Sequence, residues 1–405
     1  MIHRHSCIVC GSEDLHKVLD LGMMPSSNNL VEKSQLKSVK SYPLVYYICT
    51  NCSMFQLLDI ADREELFDNY LYMTGVNKEL VKHFEEMIID EVVKPGNGNG
   101  FGVVVGSNDG SEVKLLKETG GFKRAIGVDP AKNLAIIANE NGIYTINDFF
   151  TERLGQKIVS EFGKADFVTA NNVFAHIPDP SDMLKGMKVL IKDTGFIIIE
   201  VHWLKSIVEK LEFETLYTEH YYVWSVKSMD KLSEKCGLNM VDVKYMPKQH
   251  GGSLRFKFML SGKNDLRLES DEEKAGLYDM KMMTDLQSRA NRRKEEFMKL
   301  VNKLKNNGKR IAIWSVPAKV PTLLNFCGIT SKEIDCAYEI VPSKIGRYIP
   351  KAGIEVKDEK LINSDKPDYL IIGAWNYMDF AKEKLKWYTA QGGKLIDPLS
   401  GKVLE

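Results

Sequence analysis

Two short cysteine hooks, Cys7-x-x-Cys10 and Cys49-x-x-Cys52, constrain what this chain can fold into more than any other feature of its sequence. A tetrahedral zinc site takes four thiolates, and two such turns supply them. The residues between the hooks are too few for a large core, so a bound metal stands in for the interior that about sixty residues rarely build. Four of the seven cysteines fall in these pairs. The pattern predicts a structural zinc module with Cys7, Cys10, Cys49 and Cys52 as ligands and no open coordination position. His3, His5 and His16 lie nearby and could replace a ligand, but a complete set of four cysteines makes that unnecessary.

The 405 residues suffice for two or three domains with full cores. Lys+Arg and Asp+Glu both total 55. That balance gives neither the basic excess of a nucleic-acid coat nor a polybasic membrane anchor. The opening MIHRHSC lacks an apolar signal core, and no apolar run approaches the roughly 18 residues of a membrane span. Reduced thiols beside a zinc site point to the cytoplasm. No motif reports an oligomeric state.

The pattern along the chain is that of an α/β protein in three parts. Residues 1–62 form the zinc module, with strand-like stretches at 42–48 and 54–58. Residues 62–93 read as helical and carry Asn69, Tyr70, Leu71 and Tyr72. After a glycine-rich break, residues 63–265 continue as a central Rossmann-like domain: strands at 103–105, 125–128, 167–170 and 196–201, with helices at 111–118, 131–140 and 180–191. Strands alternating with helices imply a parallel sheet covered on both faces. A long helical stretch at 271–306 opens the last part, 266–405, and packs between domains. Alternation then resumes with strands at 310–316, 337–340, 369–373 and 394–396 and helices at 318–326 and 377–390, giving a second, smaller Rossmann-like sheet.

The first of the central strands runs into Gly106, Ser107, Asn108, Asp109 and Gly110 and then into a helix. Such a loop lets the backbone approach a ligand, and the helix start favours negative groups. Asp129 ends the next strand about 20 residues on, the spacing at which a carboxylate meets ribose hydroxyls. Asp148 sits where a third strand ends, a place to meet an adenine ring. A dinucleotide site and a purely structural sheet share these features. The loop is not GxGxxG, which favours S-adenosylmethionine over NAD.

Six motifs in order give the chain a resemblance to the zinc-containing sugar C-methyltransferases that act on nucleotide-linked keto-deoxysugars. They are the cysteine hooks followed by Tyr70 to Tyr72; the loop from Gly106 to Gly110; Asn171 to His176; Phe213 to His220, including Tyr217 and Glu219; His250 to Arg255, including Ser253; and a carboxy-terminal set with Lys319, Lys344, Asn376 and Gly393. The resemblance covers nearly the whole chain. It implies a nucleotide-sugar substrate held between domains, with S-adenosylmethionine and zinc as cofactors. A 4-keto group acidifies the neighbouring carbon; a base removes a proton, donors hold the enolate, and the carbon takes the methyl. A neutral imidazole suits the base. The resemblance places His220 as that base, Tyr217 and Tyr72 near the sugar, and Glu219 and His176 as supporting polar groups. It adds Asn171 to the cofactor site, and His250, Ser253, Arg255, Lys319 and Lys344 to the substrate site. The chain departs from the family pattern at Val104, where an acid usually precedes the glycine loop, at Trp314 to Ala318, where a glycine-rich turn is usual, and at His202, where proline is more usual.

Overall fold

Apolar runs that alternate with amphipathic stretches fold, in a computed structural model that describes residues 1–61 and 72–404, around three sheets of four or more strands. The strand Tyr42–Cys49 alternates, burying Leu44, Tyr46 and Ile48 on one face. It pairs antiparallel with Leu15–Met24 and Phe55–Leu57. The fourth strand, Tyr222–Val223, arrives from far along the chain and pairs with Phe55 and Gln56.

The central sheet has seven strands in the order Asn239–Met246, Ser253–Met259, Ile191–His202, Ala165–Asn171, Phe101–Val105, Arg124–Val128, Thr145–Ile146. The last five are parallel. Phe101–Val105 is buried at every position, as expected of a strand with helices on both sides. Ser253–Met259 and Asn239–Met246 add an antiparallel edge where the sequence reading expected only parallel strands. Their charged residues hid them. Arg255 is buried against Glu200, and Lys257 pairs with Glu91 at 3.2 Å, so inward positions read as polar.

The C-terminal sheet also has seven strands, five of them parallel, with Ile311–Trp314 at its centre. The stretch expected as one helix over 271–306 is Glu269–Lys274, a short 3-10 turn at Lys281–Met283, and Leu286–Asn306. Gly276 and Met280, both at positive φ, interrupt it. On Leu286–Asn306, Arg289 and Arg293 donate to carbonyls of residues 208–211, and Gln287 accepts from the Asp20 backbone, so this helix ties the three parts together. The expected helix at 377–390 breaks at Leu385 into Met378–Lys384 and Lys386–Ala390. Of the stretch expected as helical over 62–93, residues 62–71, with Asn69, Tyr70 and Leu71, lie outside the described residues; the rest is a 3-10 turn at Thr74–Val76 and the helix Lys78–Ile88, continued by a π turn at Ile89–Val93. No described helix is long and apolar enough to cross a membrane.

Candidate active site

Four parallel strands of the central sheet end on one edge, and their last residues line a cavity of about 710 Å³ whose other wall is the C-terminal sheet. Ligands of open α/β sheets sit at that edge. The glycine loop is built for close approach. Gly106 has φ +70°, and a Cβ there would stand 2.3 Å from a Val173 methyl. Asn108 is also left-handed, its side chain accepting from Thr74 N at 2.8 Å and donating to the Tyr72 carbonyl at 3.1 Å. Asp109 accepts from Gly75 N at 2.7 Å and from the Ser111 hydroxyl at 2.6 Å. Asp109 and Gly110 therefore brace the loop, while Gly106, Ser107 and Asn108 face the cavity. Asp129 is buried; its carboxylate accepts from Asn108 N at 2.7 Å and Ala131 N at 2.9 Å. Burial pushes it up to about 6 against those two hydrogen bonds. Asp148 is exposed and does not reach the cavity.

Beyond Asn171 the cavity is lined by imidazoles and a phenol. The Tyr217 ring stacks on His220 at 3.8 Å, His176 lies 4.7 Å from His220, His202 lies 5.1 Å from His220, and His250 lies 4.9 Å from His202. His220 Nδ1 is 2.7 Å from the Thr215 carbonyl. A carbonyl only accepts, so Nδ1 carries the proton and Nε2 the lone pair. Desolvation holds His220 well below the usual histidine range and brings His176 and His250 each down to about 4, so these rings are neutral. Tyr72 also lines the cavity.

Glu219 does not. Its carboxylate accepts from the Ser26 hydroxyl at 2.7 Å, Asn28 N at 2.8 Å and Ser27 N at 3.2 Å, all in the loop that follows Leu15–Met24. Ser253 is fully buried and donates to the Gln249 carbonyl at 3.2 Å. Arg255 is turned to Glu200, 3.0 Å away, whose other oxygen meets His83 at 2.6 Å. Neither Ser253 nor Arg255 lines the cavity. From the C-terminal wall, Lys319 reaches in over the Trp375 ring at 4.2 Å and donates to Asn376. Burial brings Lys319 down to about 8. Lys344 donates to the Val316 carbonyl at 2.9 Å and lies 3.4 Å from Glu339, which in turn accepts from Val316 N.

Some 45 residues apart in sequence, the two cysteine hooks meet. The Sγ atoms of Cys7 and Cys52 are 3.5 Å apart, those of Cys10 and Cys49 3.6 Å, and all four lie within 4.8 Å of one another. A tetrahedron of 2.3 Å zinc–sulfur bonds has edges of roughly 3.8 Å, whereas a disulfide is about 2.05 Å. Each hook closes through a left-handed residue, Gly11 or Ser53. Hydrogen bonding among the sulfurs pushes Cys7 and Cys52 up and holds Cys49 down. The donor set fits Zn²⁺.

Three family models match the chain in succession: a zinc binding domain over residues 7–67, a methyltransferase domain over 102–243, and a C-methyltransferase C-terminal domain over 248–400. The chain is a zinc-containing C-methyltransferase. It is 29% identical to C-methyltransferase NovU of Streptomyces niveus over 401 residues, 97% of this chain and 95% of that one. Solved structures with weaker likeness include magnesium protoporphyrin IX methyltransferase from Synechocystis PCC 6803 with bound SAM, at 15% identity and TM-score 0.37 over 50% of this chain and 98% of that one. Another is an S-adenosylmethionine-dependent methyltransferase from Clostridium acetobutylicum, at 12% identity and TM-score 0.36 over 45% of this chain and 92% of that one.

The methyltransferase uses S-adenosylmethionine and zinc. The loop at Gly106, too tight for any side chain, fits the first cofactor. Two cavity residues escaped assignment from sequence. His202 was visible only as an oddity at the end of a strand. Glu112, within the helix expected at 111–118, was given no role, yet it is 4% exposed and lines the cavity.

Proposed function

We propose that this C-methyltransferase acts on a nucleotide-activated keto-deoxysugar in the cytoplasm, through enolisation by His220. One observation carries the reading: the Thr215 carbonyl pins the His220 tautomer, so that Nε2 keeps the lone pair in a residue that lines the cavity. That lone pair takes the proton from the carbon beside the keto group. Tyr217, stacked on His220, and Tyr72 supply phenolic donors for the sugar oxygens, and the resulting charge is held in a site whose neutral rings exclude water. S-adenosylmethionine supplies an electrophilic methyl group. In this reading residues 1–62, 63–265 and 266–405 are the three working parts. His176 and His250 flank the sugar, and Lys319 and Lys344 face the nucleotide. Glu219 positions the base-bearing segment rather than touching substrate, and Ser253 and Arg255 support the floor beneath it.

The substrate class is tested by incubating the enzyme with labelled S-adenosylmethionine and a panel of nucleotide-linked 4-keto sugars, then locating the label by mass spectrometry. Transfer to a ring carbon next to the keto group is expected; label on oxygen, or on no member of the panel, would refute the reading. On the cofactor side, Asp129 is expected to hold the ribose. Asp129→Ala removes charge-assisted hydrogen bonds worth roughly 1.5–3 kcal/mol each, so calorimetry should show S-adenosylmethionine binding at least about tenfold weaker. Unchanged affinity would remove Asp129 from the ribose site.

A further inference from the structure

Val104 leaves the strand before the glycine loop without an acid, and a carboxylate from elsewhere occupies its vicinity. Val104 pairs in register with Thr169. Glu112, in the first turn of the helix Ser111–Glu118, lies over that same neighbour: its Oε1 accepts from Asn171 Nδ2 at 2.8 Å, and Nδ2 also reaches Thr169 Oγ1 at 3.1 Å. A carboxylate accepts only from the amide nitrogen, so the orientation of the Asn171 amide is fixed. Its Oδ1 is then buried with no partner among the described residues. The residues that line the cavity at this corner, Glu112 and Asn171, hold a carboxylate and an unpartnered amide oxygen, with the Thr169 hydroxyl, which does not line it, behind them.

It also lacks a cation. Arg255, whose guanidinium acts on Glu112 through space, is engaged by Glu200, and no ion pair of Glu112 occurs among the described residues. A buried carboxylate without a cation is costly, which makes the corner a receptor for a positive group. The sheet order indicates which one. Asp129 follows the strand on one side of Phe101–Val105, and Asn171 ends the strand on the other side. With the ribose at Asp129, a placement on which this argument rests, the amino-acid end of the cofactor crosses Gly106 and arrives at Asn171.

We infer that Glu112, together with Asn171 Oδ1, receives the methionyl ammonium of S-adenosylmethionine, so that a helix residue performs the task the strand residue Val104 cannot.

Calorimetry on the full chain with three ligands tests this. S-adenosylhomocysteine carries the ammonium, its desamino analogue lacks only that group, and 5′-methylthioadenosine lacks the whole amino-acid end. Glu112→Gln keeps the shape and the bond from Asn171 but removes the charge. It should bind S-adenosylhomocysteine about 10–100-fold more weakly, the effect of one charged hydrogen bond, and 5′-methylthioadenosine as the wild type does. The wild type should lose a similar factor on the desamino analogue, and Glu112→Gln should lose none there; that ligand comparison holds even if the variant folds poorly. Equal weakening toward S-adenosylhomocysteine and 5′-methylthioadenosine would make Glu112 a support of the pocket and overturn the inference. So would wild-type indifference to the missing ammonium. Asp129→Ala separates the premise: it should weaken all three ligands alike, and if it spares them the ribose placement fails whatever Glu112 does.

Discussion

Replacing His220 by Ala or Gln is expected to nearly abolish methyl transfer while S-adenosylmethionine binds close to normally. The loss should be at least the 10²–10⁴-fold, roughly, that positioned proton transfer contributes. The two variants should also stop exchange of the sugar's α-hydrogen with deuterated solvent, measured without cofactor, because enolisation precedes methylation. That exchange isolates the proton step. Tyr217→Phe should slow the same exchange less, since it removes a donor and leaves the ring that stacks 3.8 Å from His220. Neutrality underlies the effect: desolvation, then the neighbouring His176 and His202, keep His220 from charging. A variant that still exchanges at the wild-type rate would pass the role of base to another group, with His176 the nearest imidazole to the site.

Zinc should be equally decisive for the folded state. One zinc per chain is expected by elemental analysis of protein purified without chelator, and its absence would exclude the tetrathiolate centre. Cys49→Ser leaves the other sulfurs around a metal they hold poorly. Zinc contributes about 10–16 kcal/mol in small zinc domains. Losing even about 4 kcal/mol would lower the melting temperature by roughly 8–16 °C at about 2–4 °C per kcal/mol. A melting curve that matches the wild type would show that the sheet holds without its metal.

What could be read from sequence was what is local. The cysteine hooks, the glycine loop and the strand–helix alternation each declare themselves within a few residues, because turn chemistry and periodicity act over that range. What escaped depends on partners far along the chain. Arg255 was placed in the substrate site by the resemblance, but Glu200 lies opposite it in the antiparallel register and takes the charge. Glu219, two residues from Tyr217, looked like part of the reacting cluster. Its oxygens instead answer Ser26, Ser27 and Asn28, more than 190 residues away. Glu112 draws no role from sequence unless one knows that Asn171 waits beneath it. Tyr222–Val223 is too short to announce itself as a strand, and only Phe55 and Gln56 make it one.

That borrowed strand has a consequence for how such enzymes can be recombined. Tyr222–Val223 completes the sheet of the zinc module, Tyr46 donates to the His220 carbonyl, and Leu57 N donates to the Tyr221 carbonyl at 2.8 Å. The segment that carries His220 thus belongs, by its hydrogen bonds, to the first sixty residues as much as to the domain whose sequence contains it. A chimera cut after residue 61 would marry one parent's cysteine sheet to another parent's edge strand and mismatch both. A graft that moves residues 213–223 together with the N-terminal part would keep the seam intact, so the unit of exchange in this protein is discontinuous in sequence.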